Sequence, residues 1–203
     1  TDVNALVEEV VQLLSPTLGR QIEIETALND RAWPALVDRS QLSSALVNLA
    51  INARDAMLDG GRLLFRTRNF TRGEHDAEIG GLGPGDYVVV EVHDTGAGIP
   101  AAIRDRIFEP FFSTKGKGGT GLGLATVYGI VKQSDGYIDV DSEPGRGTGF
   151  HIDLPRTAEP AELRTTRVLS APTGQETILV VEDEDLLRTM IRETLEAGGY
   201  RVL

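Results

Sequence analysis

Cysteine is absent from the 203 residues, which removes disulfides and thiolate metal sites and suits a reducing, cytoplasmic setting. No apolar run reaches the roughly 18–20 residues of a membrane span and no signal peptide opens the chain, so no direct membrane contact is expected. Positive charge is scarce: 20 Lys and Arg stand against 31 Asp and Glu, a formal net charge of −11. Nucleic acid needs a basic footprint and is excluded as a partner. A nucleotide is not, because an anion site can be locally positive on an acidic protein. The P-loop pattern G-x-x-x-x-G-K-[ST] is missing as well, and no internal repeat is visible. What remains is an ordinary globular balance, 40% hydrophobic and 25% charged, with enough apolar residues for a sizeable core. The length holds one full domain plus a fragment, or two small domains. The chain opens at Thr1 and stops at Leu203 straight after a strand-like run, and we expect it to be an excerpt of a longer protein.

Apolar spacing predicts a helix over residues 2–14, then a half-buried strand around Ile22 and Ile24 and a short strand at Ala35–Val37. Asp38 is placed to cap a helix over roughly 39–58. At about 100° per residue, Leu42, Leu46, Leu49, Ala53 and Met57 share one apolar stripe. Asn48, Asn52 and Asp55 fall on a separate face, within roughly 60° of each other. Two asparagines and an aspartate there read either as the wall of a polar cavity or as a solvated face of poor helix formers. Strands are expected at 61–69 and 86–93, a short helix after Pro100, a longer helix from near Gly121, and a final strand pair through Val140 and Phe150–Leu154. Residues 156–175 have linker composition. The stretch 176–203 reads as a strand, a helix and a second strand, its first strand (Thr177–Val181) of the buried parallel kind.

Four blocks then follow in order: Asn48-Leu-Ala-Ile-Asn52-Ala-Arg-Asp55, Asp94-Thr-Gly96-Ala-Gly98-Ile99-Pro100, Phe108-Glu-Pro110-Phe111-Phe112-Ser-Thr-Lys115, and Gly119-Thr120-Gly121-Leu122-Gly123-Leu124-Ala-Thr. Asp94, at a strand end, can accept from an adenine amino group while the glycines let backbone approach the base, or it can simply close an Asx turn. The phenylalanine block is an anchor for a mobile lid or a hydrophobic loop packed down. Lys115 and Lys117 sit in flexible, glycine-rich sequence, either over a polyphosphate or in solvent. The last block opens a helix, whose unpaired N–H groups favour an anion. A competing pattern, Gly116-x-Gly118-x-x-Gly121 with Asp141 beyond it, fits a dinucleotide fingerprint but lacks the buried strand that must precede it.

Together the four blocks resemble the asparagine, first glycine, phenylalanine and second glycine boxes of the ATP-binding domain of sensor histidine kinases. That superfamily includes DNA gyrase, the mismatch-repair ATPases and the heat-shock chaperone. The resemblance covers residues 1 to about 155 and implies an α/β sandwich, a mixed sheet with helices on one face. Gly121 to Gly136 is especially similar to hybrid kinases of bacterial phosphorelays. It implies ATP and Mg²⁺ as cofactors, Asn52 as the metal-holding residue and Asp94 as adenine reader. Thr148 would share the adenine-bound water, unless it is a plain strand threonine. Gly96, Gly98, Ile99, Phe108 and the residues Gly119 to Leu124 complete the implied ATP contacts, with Asp55 auxiliary and Lys115 on phosphate. At Asn48 the hydrolysing relatives carry a glutamate, and an asparagine cannot take a proton. The γ-phosphoryl is thus expected to pass to a histidine on a dimerisation domain of the same protein. No histidine here fits that role: His75 reads as a surface residue, His93 ends a strand and His151 lies in one. The tail resembles the opening of a response-regulator receiver, with Glu182 and Asp183 matching its Mg²⁺-holding acidic pair or merely favouring a helix N-terminus.

Overall fold

The structure, a computed structural model, describes residues 1–19, 21–73, 82–114, 120–157, 174, 176–180, 192, 195–196 and 198–203. The chain divides into two compact units, Thr1–Ala161 and Glu162–Leu203.

In the first unit a mixed five-stranded sheet has the order β1-β2-β3-β5-β4. The strands are β1 (Ile22–Ala27), β2 (Gly61–Arg72), β3 (Gly85–Asp94), β4 (Tyr137–Glu143) and β5 (Gly147–Pro155). β1 and β2 run parallel, and the remaining neighbours are antiparallel. The helices are α1 (Val3–Leu14), α2 (Arg39–Ala56), the single turn α3 (Ala101–Arg104) and α4 (Gly123–Gln133). α2 packs between α1 and α4.

Sequence periodicity explains why the helices gather on one face. The α2 stripe Leu42, Leu46, Leu49, Ala53 is buried, and Met57 continues it past the last turn. It meets alternate residues of the sheet, Leu63 and Phe65 on β2, Val88, Val90 and Val92 on β3, and Phe150, Ile152 and Leu154 on β5. The opposite face carries Arg66, Arg68, Glu91, His93, His151 and Asp153, as a period of two requires. Asp38 caps α2, its carboxylate accepting from the Gln41 N–H at 2.9 Å.

The expected strand at Ala35–Val37 is reduced to an isolated bridge between Ala35 and Arg156. Its backbone donors are split between two partners, Ala35 to the Thr1 carbonyl and Leu36 to that of Pro155, so no ladder propagates. In the second unit Thr177–Ile178 (β6) pairs in parallel with Arg201–Val202 (β7). Among the described residues of the run expected to be buried, Leu179 is 71% exposed and Ile178 and Val180 are half-buried. Among the described residues, no helix is long and apolar enough to cross a membrane.

Candidate functional site

The polar face of α2 opens into a cavity of about 590 Å³ between α2, the turn after β3 and the start of α4. Asn48, Asn52 and Asp55 line it from α2. Asp94, Gly98 and Ile99 line it from the end of β3, Thr148 from β5, and Thr120, Gly121, Gly123 and Leu124 from the entry to α4. The α2 asparagines thus form part of a cavity wall. Both Asn48 and Asn52 point at Gly123: a Cβ there would sit 3.7 Å from the Asn52 amide nitrogen and 3.9 Å from the Asn48 oxygen. Asp55 also holds its neighbour, accepting from Arg54 Nε at 3.0 Å and Nη2 at 2.9 Å.

α4 starts at Gly123 with Leu122 as N-cap and no side-chain cap bond, and its first residues, Gly123 and Leu124, line the cavity. Such an end attracts an anion through both its donors and its dipole. Residues 105–114 ahead of it are turns and bends, with no strand. The dinucleotide fingerprint therefore lacks its required context. Asp141, its acidic member, lies on the edge strand β4 and lines a separate cleft.

Where β3 meets the cavity, Asp94 and Thr148 are direct cross-strand partners. The Asx-turn reading of Asp94 holds: Oδ1 accepts from the Gly96 N–H at 2.8 Å, and the residue also lines the cavity. Burial pushes the Asp94 carboxyl above the usual aspartate range, against the pull of backbone hydrogen bonds from Gly96 and Thr148.

Three expected contacts are placed elsewhere. Gly96 is behind the cavity wall, held by its bond to Asp94 and its close approach to the Ala56 carbonyl. Leu122 is 42% exposed on the outer side of the helix start. Phe108 lies beneath the cavity, its ring centroid 5.5 Å from Tyr128 and 6.4 Å from Phe150. The phenylalanine block is thus divided among three roles. Phe112 lines the cavity with the Arg106 guanidinium 4.6 Å from its centroid. Phe111 is 78% exposed at φ +67°, and its N–H donates to the Gly121 carbonyl at 2.9 Å, tying the block to the α4 entry. Lys115, Lys117, Gly119, His75, Glu182 and Asp183 lie outside the described residues.

Residues 37–158 match the family described as histidine kinase-, DNA gyrase B- and HSP90-like ATPases. The chain belongs to this family. It is 43% identical to the sensor kinase CckA of Brucella abortus (strain 2308) over 99% of its own length, and spans 22% of that protein. Among solved structures it resembles full-length ShkA in complex with AMPPNP, with a TM-score of 0.63 and 30% identity over all of this chain and 39% of that one. It also resembles the mycobacterial sensor histidine kinase MprB, with a TM-score of 0.62 and 27% identity over 77% of this chain and 95% of that one.

In this ATPase-family domain, sequence reasoning missed Ser142. It is 3% exposed and follows Ile138 and Val140 on the core-facing side of β4, so the one available signal was a hydroxyl in an apolar series. Its Oγ accepts from the Ile99 N–H at 2.8 Å, its hydroxyl donates to the Gly147 carbonyl at 2.9 Å, and the Thr148 hydroxyl lies 3.0 Å away. Arg104 donates to the Ser142 carbonyl. One serine therefore pins the turn after β3 to the strand that bears Thr148. Ser142→Ala leaves a buried N–H and a buried hydroxyl unpaired, which costs about 1–3 kcal/mol. Thermal denaturation should show Tm lowered by roughly 3–10 °C, and an unchanged Tm would remove Ser142 from this role.

Proposed function

We propose that this chain is the ATP-binding catalytic part of a protein-histidine kinase, which presents Mg-ATP to a histidine on a separate helical dimerisation domain. The observation that supports it best is the convergence of Asn48, Asn52, Asp94, Thr148 and the uncapped start of α4 on one cavity. Asp94 reads the adenine amino group, and Thr148 shares its water. The phosphates lie toward the α4 entry, where Thr120, Gly121 and Gly123 offer backbone, with Gly119 and Lys115 assigned to the same job from sequence. The Asn52 amide oxygen suits a hard divalent cation, Mg²⁺, which neutralises phosphate charge when bound. Gly123, which faces both α2 amides, has no side chain, and this leaves room between them and the helix start for such an ion. Asn48 orients without accepting a proton, so water in the cavity gains no base. The neutral imidazole of the acceptor supplies its own lone pair to the γ-phosphorus as the bond to ADP breaks.

The second unit is proposed as the opening of a receiver domain, which makes the parent a hybrid kinase with Glu182 and Asp183 as half of an Mg²⁺ site. The parallel pairing of Thr177–Ile178 with Arg201–Val202 supports a strand-helix-strand order. A receiver or downstream phosphotransfer protein would then take the phosphoryl group, in the cytoplasm.

The test supplies the His-bearing helical hairpin in trans with γ-labelled Mg-ATP and follows acid-labile label on the hairpin and free phosphate. Label with little free phosphate is expected. Rapid free phosphate without label would make the chain a hydrolase, and bound ATP with neither product would make it a sensing module. In the same assay Asn48→Glu restores a base, and phosphate release should rise at least about tenfold.

A further inference from the structure

We infer that the open face of the sheet, opposite the helices, carries a binding site for a divalent transition metal of the zinc type, formed by Glu91, His93 and His151. The chain has three histidines, and two of them face one carboxylate. Register explains the placement. Glu91 and His151 are direct cross-strand partners, and His93 lies two residues on, opposite Gly149. Gly149 is what allows His93 to lie over β5, since a Cβ there would come within 2.6 Å of its ring.

His93 Nε2 is 3.4 Å from one Glu91 oxygen and His151 Nδ1 is 3.7 Å from the other, and one donor atom from each residue falls within 4.8 Å of the rest. Both distances are longer than the roughly 3.2 Å at which good hydrogen bonds end, so His93 makes at most a weak one to Oε2. The His93–Oε2 distance is near the roughly 3.3 Å that separates ligand atoms around a tetrahedral Zn²⁺ with bonds of about 2.0–2.1 Å, and His151 faces the other oxygen of the same carboxylate. The two rings stand edge to face, 5.2 Å apart at 79°.

The carboxylate is prepared for a cation. Its side chain is 6% exposed, and Arg68 Nε donates to Oε1 at 2.7 Å, which orients it as an outer partner orients a ligand. Arg66 stands farther off, 3.6 Å from Oε2, and this is the oxygen offered to the metal. The two arginines are countered on the same face by Asp153, which interacts with Arg68, and by Asp139, the β4 partner of His151. Two imidazoles and one carboxylate select a borderline ion over Mg²⁺ or Ca²⁺. With the histidine side chains 35% and 29% exposed, a further position stays open to water. The ion would tie β3 to β5 directly behind the Asp94–Thr148 pair, from the side that the nucleotide does not occupy.

The experiment titrates ZnCl₂ into the nucleotide-free 203-residue chain, because ATP would itself bind zinc. At a hundredfold excess over Kd, Tm should rise by roughly 5–10 °C. His93→Gln and His151→Gln should each weaken binding at least about tenfold, while the control His75→Gln should not. Imidazole nitrogen shifts on zinc addition to the unaltered chain give a readout that needs no variant, and two of the three histidines should move. No change in Tm, equal affinity in both glutamine variants, or shifts confined to His75 would each overturn the site.

Discussion

Replacing Asp94 with asparagine is expected to weaken adenine-nucleotide binding by roughly 10–100-fold, as loss of a charge-assisted hydrogen bond does, while leaving the fold as stable or more so. The substitution keeps the oxygen that accepts from Gly96, so the Asx turn survives. What it removes is a buried charge. Burial places the Asp94 pKa above its unfolded value, so the folded state takes up the proton first. The ionised group therefore costs stability at neutral pH. That cost disappears as pH falls through the raised folded pKa toward the ordinary value near about 3.9. Acidification through this window should thus relieve the fold while it weakens adenine recognition, because the protonated carboxyl accepts less well. Asp94→Asn should erase both pH dependences. Calorimetric titration and thermal denaturation from pH 7 downward, each read as wild type minus variant, check the two signs. The difference isolates Asp94 from Glu91, whose folded pKa is lowered and whose contribution is lost on acidification. Equal nucleotide affinity in the two proteins would remove Asp94 from the base pocket.

Gly98→Ala should destabilise the domain and disable the cavity together. Gly98 has φ +70°, and an added Cβ would fall 2.0 Å from the Glu143 carbonyl oxygen. The obstructing atoms are backbone of the β4–β5 hairpin, so no rotamer change relieves the clash. The left-handed conformation costs about 1–2 kcal/mol for a side chain and overpacking adds about 1–3 kcal/mol. A fall in Tm of roughly 5–15 °C is expected, together with weaker nucleotide binding, since the neighbouring Ile99 N–H would be pulled from Ser142. Gly145 supplies the control. It has φ +80° with nothing within 4 Å of its Cβ position, so Gly145→Ala carries only the conformational part. If both variants fell by the same small amount, steric approach at Gly98 would not matter.

Much of the site was legible because its signals are local. The asparagines and Asp55 repeat at helical spacing within eight residues, and they line the cavity together. Asp38 caps α2 as its residue type and position predict. Strand periodicity located β2, β3 and the β4–β5 hairpin, with ends shifted by a few residues where ladders continue into the turns. Three phenylalanines in five positions carried no such information. Their identical chemistry hides that Phe108 is packed, Phe112 faces the cavity and Phe111 is turned out by a left-handed backbone. Ala35–Val37 misled for a related reason: its apolar residues are strand-like, but its hydrogen-bond partners are the chain start and the end of β5.

By itself the sequence determined the elements, the wet and dry faces of α2 and the family of the nucleotide site, because helical and strand periods act between near neighbours. Only the tertiary structure decided which residues meet across strands. The Asp94–Thr148 pair, the Ser142 bonds to Ile99 and Thr148, and the gathering of Glu91, His93 and His151 all depend on the register of β3, β4 and β5. A one-residue slip would turn each of those side chains to the other face, and that register is held by the whole buried core.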